Sequence, residues 1–406
     1  MADATAIEQD SAAAWRRLAV SVLLATIGGV GLWSTVVVLP TIQHEFGVDR
    51  GGASVPFTAT LIGFALGGIM MGRVADRFGI MLPVIAGAVL LGLGYVLASQ
   101  ASSYWAFVAI QAVLIGALGS SVTFGPLVAD VSFWFLRRRG IAIGIAASGN
   151  YLAGAFWPPI IEAGIAAHGW RDTYVAVGVF VVVTMIPLAL LLRQRPDMEA
   201  QAPPSPAVLA RVQLSPAALK VLLCVAGIAC CVAMSMPQVH MVAYCSDLGY
   251  GPARGAEMLS LMLGLGVVSR IGSGFIADRI GGLWTLILGS TLQMLALIAF
   301  LPFDGLVSLY LISALFGLSQ GGIVPSYALI VREFFPAREA SRLVSLVLMA
   351  TVLGMAVGGW LSGEIYDLTG SYAAAFLNGI AWNVLNVGIA VYLLVGRRGR
   401  RKVAVA

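Results

Sequence analysis

The chain has 406 residues, 59% hydrophobic and only 11% charged, with a mean hydropathy of +0.93 and a formal net charge of +5. An ordinary soluble domain, in which charged residues approach a quarter, is excluded. The apolar runs last about 20 residues and do not alternate, so they predict an all-α membrane protein rather than a barrel.

The N-terminus, MADATAIEQDSAAAWRR, has acids ahead of its arginines and no small-residue cleavage site after a short apolar core, so no signal peptide is expected. Twelve apolar runs follow, at 17–40, 53–72, 80–99, 104–134, 140–165, 172–193, 218–244, 255–277, 283–302, 305–331, 342–364 and 372–396. The stretch QRPDMEAQAPPSPAVLARVQLSP interrupts them once, between the sixth and seventh. It divides the chain into an N-terminal six-helix bundle (1–193), a linker (194–217) and a C-terminal six-helix bundle (218–406). Cys224, Cys230, Cys231 and Cys245 all fall in or beside the seventh run without metal-ligand spacing, and read as small apolar residues. No metal or cofactor is implied.

An even number of spans places both termini on one side. If that side is cytoplasmic, twenty of the 24 Lys and Arg residues lie in inner segments, among them Arg16, Arg17, the RRR of 137–139 and the RRGRRK tail. Only Arg50, Arg171 and Arg254 fall outside, which orients the chain by the positive-inside rule. The expected location is a cell membrane, the inner one in a Gram-negative cell. Each basic cluster reads as topology and lipid-headgroup contact.

The remaining cation, Arg270, stands inside the apolar eighth run, LMLGLGVVSRIGSGFIADRIGG. A guanidinium among apolar neighbours is costly in lipid and normally faces a water-filled cavity or a partner. Arg270 also lies eight residues before Asp278, about 12 Å at the helical rise, so snorkelling or bracing a neighbouring helix is the structural alternative. No acid stands in the middle of another apolar run to neutralise it, which favours a substrate site.

The halves repeat. GRVADRFG at 72–79 matches GFIADRIG at 274–281, aligning Asp76 with Asp278 and Arg77 with Arg279 at an offset of 202. GALGSS (116–121) and FWFLRRRG (133–140) are echoed by GLSQGG (317–322) and EFFPAREA (333–340). Two parallel six-helix repeats are expected. The paired G-x-x-x-D-R-x-G loops and the six-plus-six layout resemble the major facilitator superfamily along the whole chain. That resemblance implies that Asp76, Arg77, Asp278 and Arg279 are gating residues that latch the cytoplasmic side; a purely structural glycine turn is the alternative.

Within the superfamily, Arg270 with the G-x-G-x-x-x-D-R that follows it, RRRGIAIGIAASG, GWRDTY and DLTGSYAAAF resemble the monocarboxylate porter and oxalate:formate antiporter group. The resemblance implies that Arg270 binds a substrate carboxylate. Three departures limit it. Gly266 stands where the eukaryotic symporters carry an acid, and the first run lacks their lysine; the eleventh run also lacks the lysine of the oxalate carrier. A single cation fits one carboxylate, held by two parallel hydrogen bonds. Transport of a small organic monoanion of the lactate or pyruvate type is therefore expected; the symporters' proton-coupling residues are not reproduced, and proton symport is expected through other groups.

Few polar groups accompany Arg270: Ser120 and Thr123, Asn150, Gln238 and His240, Gln320 and Tyr327, Asn378 and Asn383. Asn and Gln in a span serve as interhelical glue as often as ligands. Tyr327 and Gln238 are favoured because the resemblance places the seventh and tenth helices on the central cavity, with Asn150 and Gln320 as further candidates. His240, Glu162 and Glu364, near the outer helix ends, are the proton-coupling candidates.

Drug efflux is disfavoured because GNYLAGAFWPP at 149–159 lacks the G-P-x-x-G-G signature of proton-coupled exporters. An organic-anion exchanger remains open. So does a carrier of a larger aromatic or vitamin-like solute, with Phe124, Trp134, Trp157 and Trp360 lining a wider cavity. An enzyme is not expected, since three histidines and no nucleophile–base constellation are present. The expected partners are the anion, the proton and the bilayer, with no nucleic acid, and the expected state is monomeric.

Overall fold

The structure is a computed structural model that describes residues 10–135, 138–194, 215–335 and 337–403, so the Pro-rich linker lies almost wholly outside the described residues. Among these, eleven helices are long and apolar enough to cross a bilayer, and no strand occurs. They correspond to the expected runs except the fifth, which forms the helices Arg139–Ala147 and Gly149–His168 and carries Pro158 and Pro159 internally. Counting that pair as the fifth, the order of spans is as expected.

Contacts divide the chain into two compact units. Unit 1 is Met1–Phe46 with Val55–Ala202; unit 2 is Gly47–Ser54 with Pro203–Ala406. The second span, Arg50–Phe78, thus begins in unit 2 and continues in unit 1.

Within unit 1 the third span packs on the fourth and sixth, and the first on the fifth. In unit 2 the seventh span packs on the eleventh and twelfth, the eighth on the tenth, and the ninth on the twelfth. Lipid supplies no hydrophobic force between helices, so association depends on close backbone approach at small residues. A Cβ at Gly317 would stand 2.9 Å from Met262 Cα, and one at Gly321 2.6 Å from Arg270 N. The two glycines, one turn apart, let the tenth span lie against the eighth at the level of Arg270.

The repeated loops have the same local cause in both halves. Gly79 and Gly281 adopt φ of 80° and 83°, and their N–H groups donate to Ala75 and Ala277 at 2.8 Å. This is a left-handed helix stop, which a glycine adopts without penalty.

The fourth span is irregular. After Tyr104–Ile110 it widens into a π-helical stretch, Gln111–Gly119, tightens to a 3₁₀ turn at Ser120–Thr123, and resumes as Gly125–Trp134. Unwound backbone at membrane depth needs partners from the protein; Ser120 Oγ donates to Gly28 O at 2.9 Å and Thr123 Oγ1 to Ser120 O.

Candidate functional site

In unit 2 the structure brings three of the sequence-derived binding candidates into one polar string. The Gln238 side-chain amide on the seventh span donates to Gln320 Oε1 on the tenth, and Gln320 Nε2 reaches Met262 O on the eighth at 3.4 Å. The next residue on the tenth span, Gly321, accepts from Arg270 Nε at 3.4 Å. Arg270 is half-buried, while Gln238 and Gln320 are buried. The contact with the Gly321 carbonyl engages the Nε edge of the planar guanidinium fork.

Tyr327 has a different setting. Its hydroxyl donates to Asn386 Oδ1 at 2.7 Å, Asn386 Nδ2 donates to Ser290 Oγ at 2.7 Å, and Asn383 Nδ2 donates to Ser290 O at 3.1 Å. This fully buried network ties the ninth, tenth and twelfth spans together.

Asn150 lies in unit 1, where the first, fourth and fifth spans meet around Gly28 and Gly29. Trp33 Nε1 donates to Asn150 O at 3.2 Å, and Trp157 Nε1 donates to Thr26 O at 2.8 Å. Asn150 Oδ1 is buried and has no hydrogen-bond partner among the described residues. A buried amide oxygen without a donor is an expensive arrangement, and a substrate hydroxyl or a water would relieve it.

His240 is fully buried. Its Nε2 lies 2.8 Å from Gly359 O and its Nδ1 3.2 Å from Tyr372 Oη. A carbonyl only accepts, so Nε2 carries the proton of the neutral ring, and Nδ1 accepts from the Tyr372 hydroxyl. Glu162 is buried in the fifth span, and Glu364 packs against Gly51.

Asp76, Arg77, Asp278 and Arg279 are exposed at the helix ends. Asp76 lines a cavity of about 170 Å³ in unit 1 together with Arg17, Asp130, Pro126, Phe133 and Gln194. In unit 2, Glu333 accepts from Gly282 N at 3.1 Å and thereby caps the ninth span just after the Asp278 loop.

That cavity corrects two expectations. Arg17 is no headgroup arginine: it is 6% exposed, and its Nε and Nη2 grip Asp130 Oδ2 and Oδ1 at 2.7 and 2.9 Å. Its guanidinium also stacks 4.4 Å over Trp134, which is buried there. Asp130 therefore is an acid within an apolar run, four residues from the run's end. The signal was present in GPLVADVSFW as a lone carboxylate among apolar neighbours.

The GWRDTY and DLTGSYAAAF motifs also acquire a role. Trp170 and Arg171 both donate to Glu45, and Arg171 further donates to the carbonyls of Ser99 and Ala101. Asp367 accepts from the N–H groups of Arg50 and Gly51 at 2.9 and 2.6 Å. Both motifs secure the helix ends opposite the repeated loops.

Comparison with known proteins agrees with this architecture. Monocarboxylate transporter 13 of Bos taurus is 28% identical over 330 residues, covering 79% of this chain and 75% of that protein. Its counterpart in Rattus norvegicus is 26% identical over 357 residues, 84% and 78% of the two chains. An MFS-type transporter of Gibberella moniliformis (strain M3125 / FGSC 7600) is 26% identical over 332 residues, 80% and 78%. Among solved structures, a bacterial homologue of the human lysosomal transporter Spinster, inward-facing and unoccupied, superposes with a TM-score of 0.74 at 13% identity, covering 96% of this chain and 98% of the other. A point mutant of the nucleoside transporter NupG gives 0.70 at 13% identity, 93% and 99%. The Major Facilitator Superfamily pattern matches residues 21–359 and 273–405. The chain belongs to the major facilitator superfamily, and is a multi-pass membrane transporter rather than an enzyme.

Proposed function

We propose that this transporter moves a small organic monoanion of the monocarboxylate type across the cell membrane by alternating access, with proton symport, its termini on the cytoplasmic side. The observation that carries the proposal is Arg270: one guanidinium in an apolar span, touching the carbonyl of Gly321, the residue that follows Gln320 of the Gln238–Gln320 pair. A guanidinium in a low-dielectric cavity holds a carboxylate by two parallel, charge-assisted hydrogen bonds, and two adjacent amides suit the hydroxyl or keto oxygen of a 2-substituted acid. The relatives named monocarboxylate transporter 13 support the same substrate class. The density of Lys and Arg on the loop side of Asp76 and Asp278 supports the orientation.

The coupled proton is assigned to His240, Glu162 or Glu364. Asn150, with its unpartnered amide oxygen, is a second binding group contributed by unit 1.

The test is uptake into proteoliposomes of labelled monocarboxylates, dicarboxylates and aromatic acids, with and without a pH gradient. Monocarboxylate uptake is expected, and Arg270→Lys and Arg270→Ala are each expected to lower it at least about tenfold, because lysine keeps the charge and loses the planar fork. Full uptake by Arg270→Ala overturns the site; full uptake by Arg270→Lys overturns two-point binding.

A further inference from the structure

Three sulfur atoms meet in the buried core of unit 2, at the end that lies away from the Asp278 loop. Cys245 Sγ stands 3.6 Å from Met258 Sδ and 3.9 Å from Met241 Sδ, and none of the three residues is more than 1% exposed. Met241 and Cys245 lie one turn apart on the seventh span, Pro216–Asp247, and Met258 lies early in the eighth, Pro252–Ile280. Gly255 brings the two spans together: a Cβ there would stand 2.8 Å from Met241 O and 2.5 Å from Val242 Cα. Met258, three residues further on, shares the Gly255 face of the helix and so reaches the seventh span at Cys245.

A thiol has one hydrogen to donate, so a hydrogen bond satisfies only one of these contacts, whereas a metal ion would engage all three sulfurs. Three sulfurs bonded to one ion at about 2.3 Å and spread at 120° stand about 4.0 Å apart, close to the two separations in the protein. Thiolate and thioether are soft donors and select soft ions such as Cu(I). Charge narrows the choice further. A Cys245 thiolate and a monovalent ion cancel, so the filled set is neutral in a low-dielectric interior, whereas a divalent ion leaves an unpaired charge there. The end of the seventh helix, two residues beyond Cys245, adds a partial negative charge that favours a cation.

The packing that the two halves share does not call for sulfur here. At the offset of 202, Leu39, Gln43 and Pro56 stand opposite Met241, Cys245 and Met258. Among the described residues no three His, Cys, Asp or Glu side chains converge as a metal-binding group. Two of the three donors are thioethers, one from the next helix, which is why cysteine spacing alone reads Cys245 as a small apolar residue. The way in is short: Asp247 and Gly249 are exposed, and the connection 248–251 carries two glycines at φ of 81° and 82°.

We propose that Cys245, Met241 and Met258 form a binding site for a soft monovalent metal ion of the Cu(I) class. The ion keeps its oxidation state. The Cys245 thiol gives its proton to water as the sulfur–metal bond forms, and the two thioethers complete a neutral three-coordinate set that clamps the seventh span to the eighth. The site is independent of the solute that the carrier moves.

The test uses the full chain, purified in lipid nanodiscs in chloride-free buffer, with Cys224, Cys230 and Cys231 replaced by alanine so that Cys245 is the only thiol. Titration with Ag(I) is expected to show about one ion bound and about one proton released per chain, with a rise in melting temperature because the ion binds the folded chain. Cys245→Ser is expected to abolish binding. Met241→Leu and Met258→Leu, which nearly conserve volume, are each expected to weaken it at least about tenfold in competition with a soluble chelator. Cu(I), supplied anaerobically, is expected to compete with Ag(I), and Zn(II) is not. In the chain with all four cysteines the same methionine changes are expected to weaken one of the bound equivalents, which guards against an effect of the alanine background. Full-strength Ag(I) binding by both methionine variants shows a lone thiol and overturns the site. Undiminished binding by Cys245→Ser, or a preference for Zn(II), overturns it equally.

Discussion

Gly321→Ala is the sharpest probe of the Arg270 site because it changes neither charge nor hydrogen-bonding groups. An added Cβ would stand 2.6 Å from Arg270 N and 2.9 Å from Ser269 Cβ, and closer still to Gly266 O. Ordinary contacts at these atoms need roughly 3.4 Å or more, so the eighth and tenth spans must part by about 1 Å in an interior packed like an organic crystal. Overpacking of that kind costs about 1–3 kcal/mol. If the strain is relieved by tilting the helix that carries Arg270, the two-point geometry degrades, and each 1.4 kcal/mol lost at the carboxylate is about tenfold in affinity. The expectation is a roughly 5- to 100-fold fall in monocarboxylate uptake, expressed mainly as a raised KM, with a modest loss of thermal stability in detergent. Gly272→Ala is the control. It lies two residues from Arg270 on the same helix, nothing stands within 4 Å of its added Cβ, and it should transport normally. Equal KM values for the two variants would refute the placement of the site at this helix crossing.

Asp130→Asn and Arg17→Met each leave a buried partner uncompensated, and each is expected to cost about 3–5 kcal/mol, whereas Arg17→Met with Asp130→Leu recovers most of it; singles as mild as the double, in melting measurements, would contradict a sealed pair. Asp76→Asn and Asp278→Asn are expected to shift the balance of inward- and outward-open states rather than abolish binding, since a few kcal/mol inverts a two-state ratio. Unchanged cysteine accessibility at the loop face together with full transport would make these loops structural turns only. His240→Gln keeps a donor for Gly359 O and an acceptor for the Tyr372 hydroxyl while removing the titratable ring. It is expected to abolish the acceleration of net uptake by external acid and to preserve exchange; an unaltered pH profile moves the proton to Glu162, Glu364 or the substrate.

The helical spans and the repeated loops were legible because their causes are local. Apolar runs of bilayer length, and a glycine that stops a helix beside an Asp-Arg pair, act over a few residues. What escaped sequence reading is set by partners far apart along the chain. Arg17 finds Asp130 across 113 residues and Arg50 finds Asp247 across 197; taken alone, Arg17 looks like a topology signal at a helix end and Arg50 like one of its few exceptions. The unwinding at Gly119–Phe124 was hidden too, since Gly, Ser and Thr serve equally as small packing residues in an intact helix. Of the binding candidates, Gln238 and Gln320 pair and Arg270 touches the neighbouring Gly321 carbonyl, whereas Tyr327 joins a buried asparagine network that a count of polar residues cannot distinguish from a cavity wall.

The departures from the internal repeat locate function more sharply than any single residue type. Two copies of one bundle meet the same packing problem, so features that packing demands persist in both: Gly79 with Gly281, Gly47 with Gly249, Glu45 with Asp247, Trp170 with Tyr372. At the same offset of 202, Arg270 stands opposite Gly68, Gln238 opposite Val36 and His240 opposite Val38. The first copy shows that an apolar or absent side chain satisfies each of those helix positions. A cation, an amide and an imidazole at the same positions in the second copy are therefore not required by the packing that the two copies share, which is what favours them as the groups of the proposed site. Arg50 follows the same logic from the other side, since its own repeat position is Pro252, an ordinary helix-starting residue. A guanidinium there is explained by its ion pair with Asp247 rather than by the start of its helix.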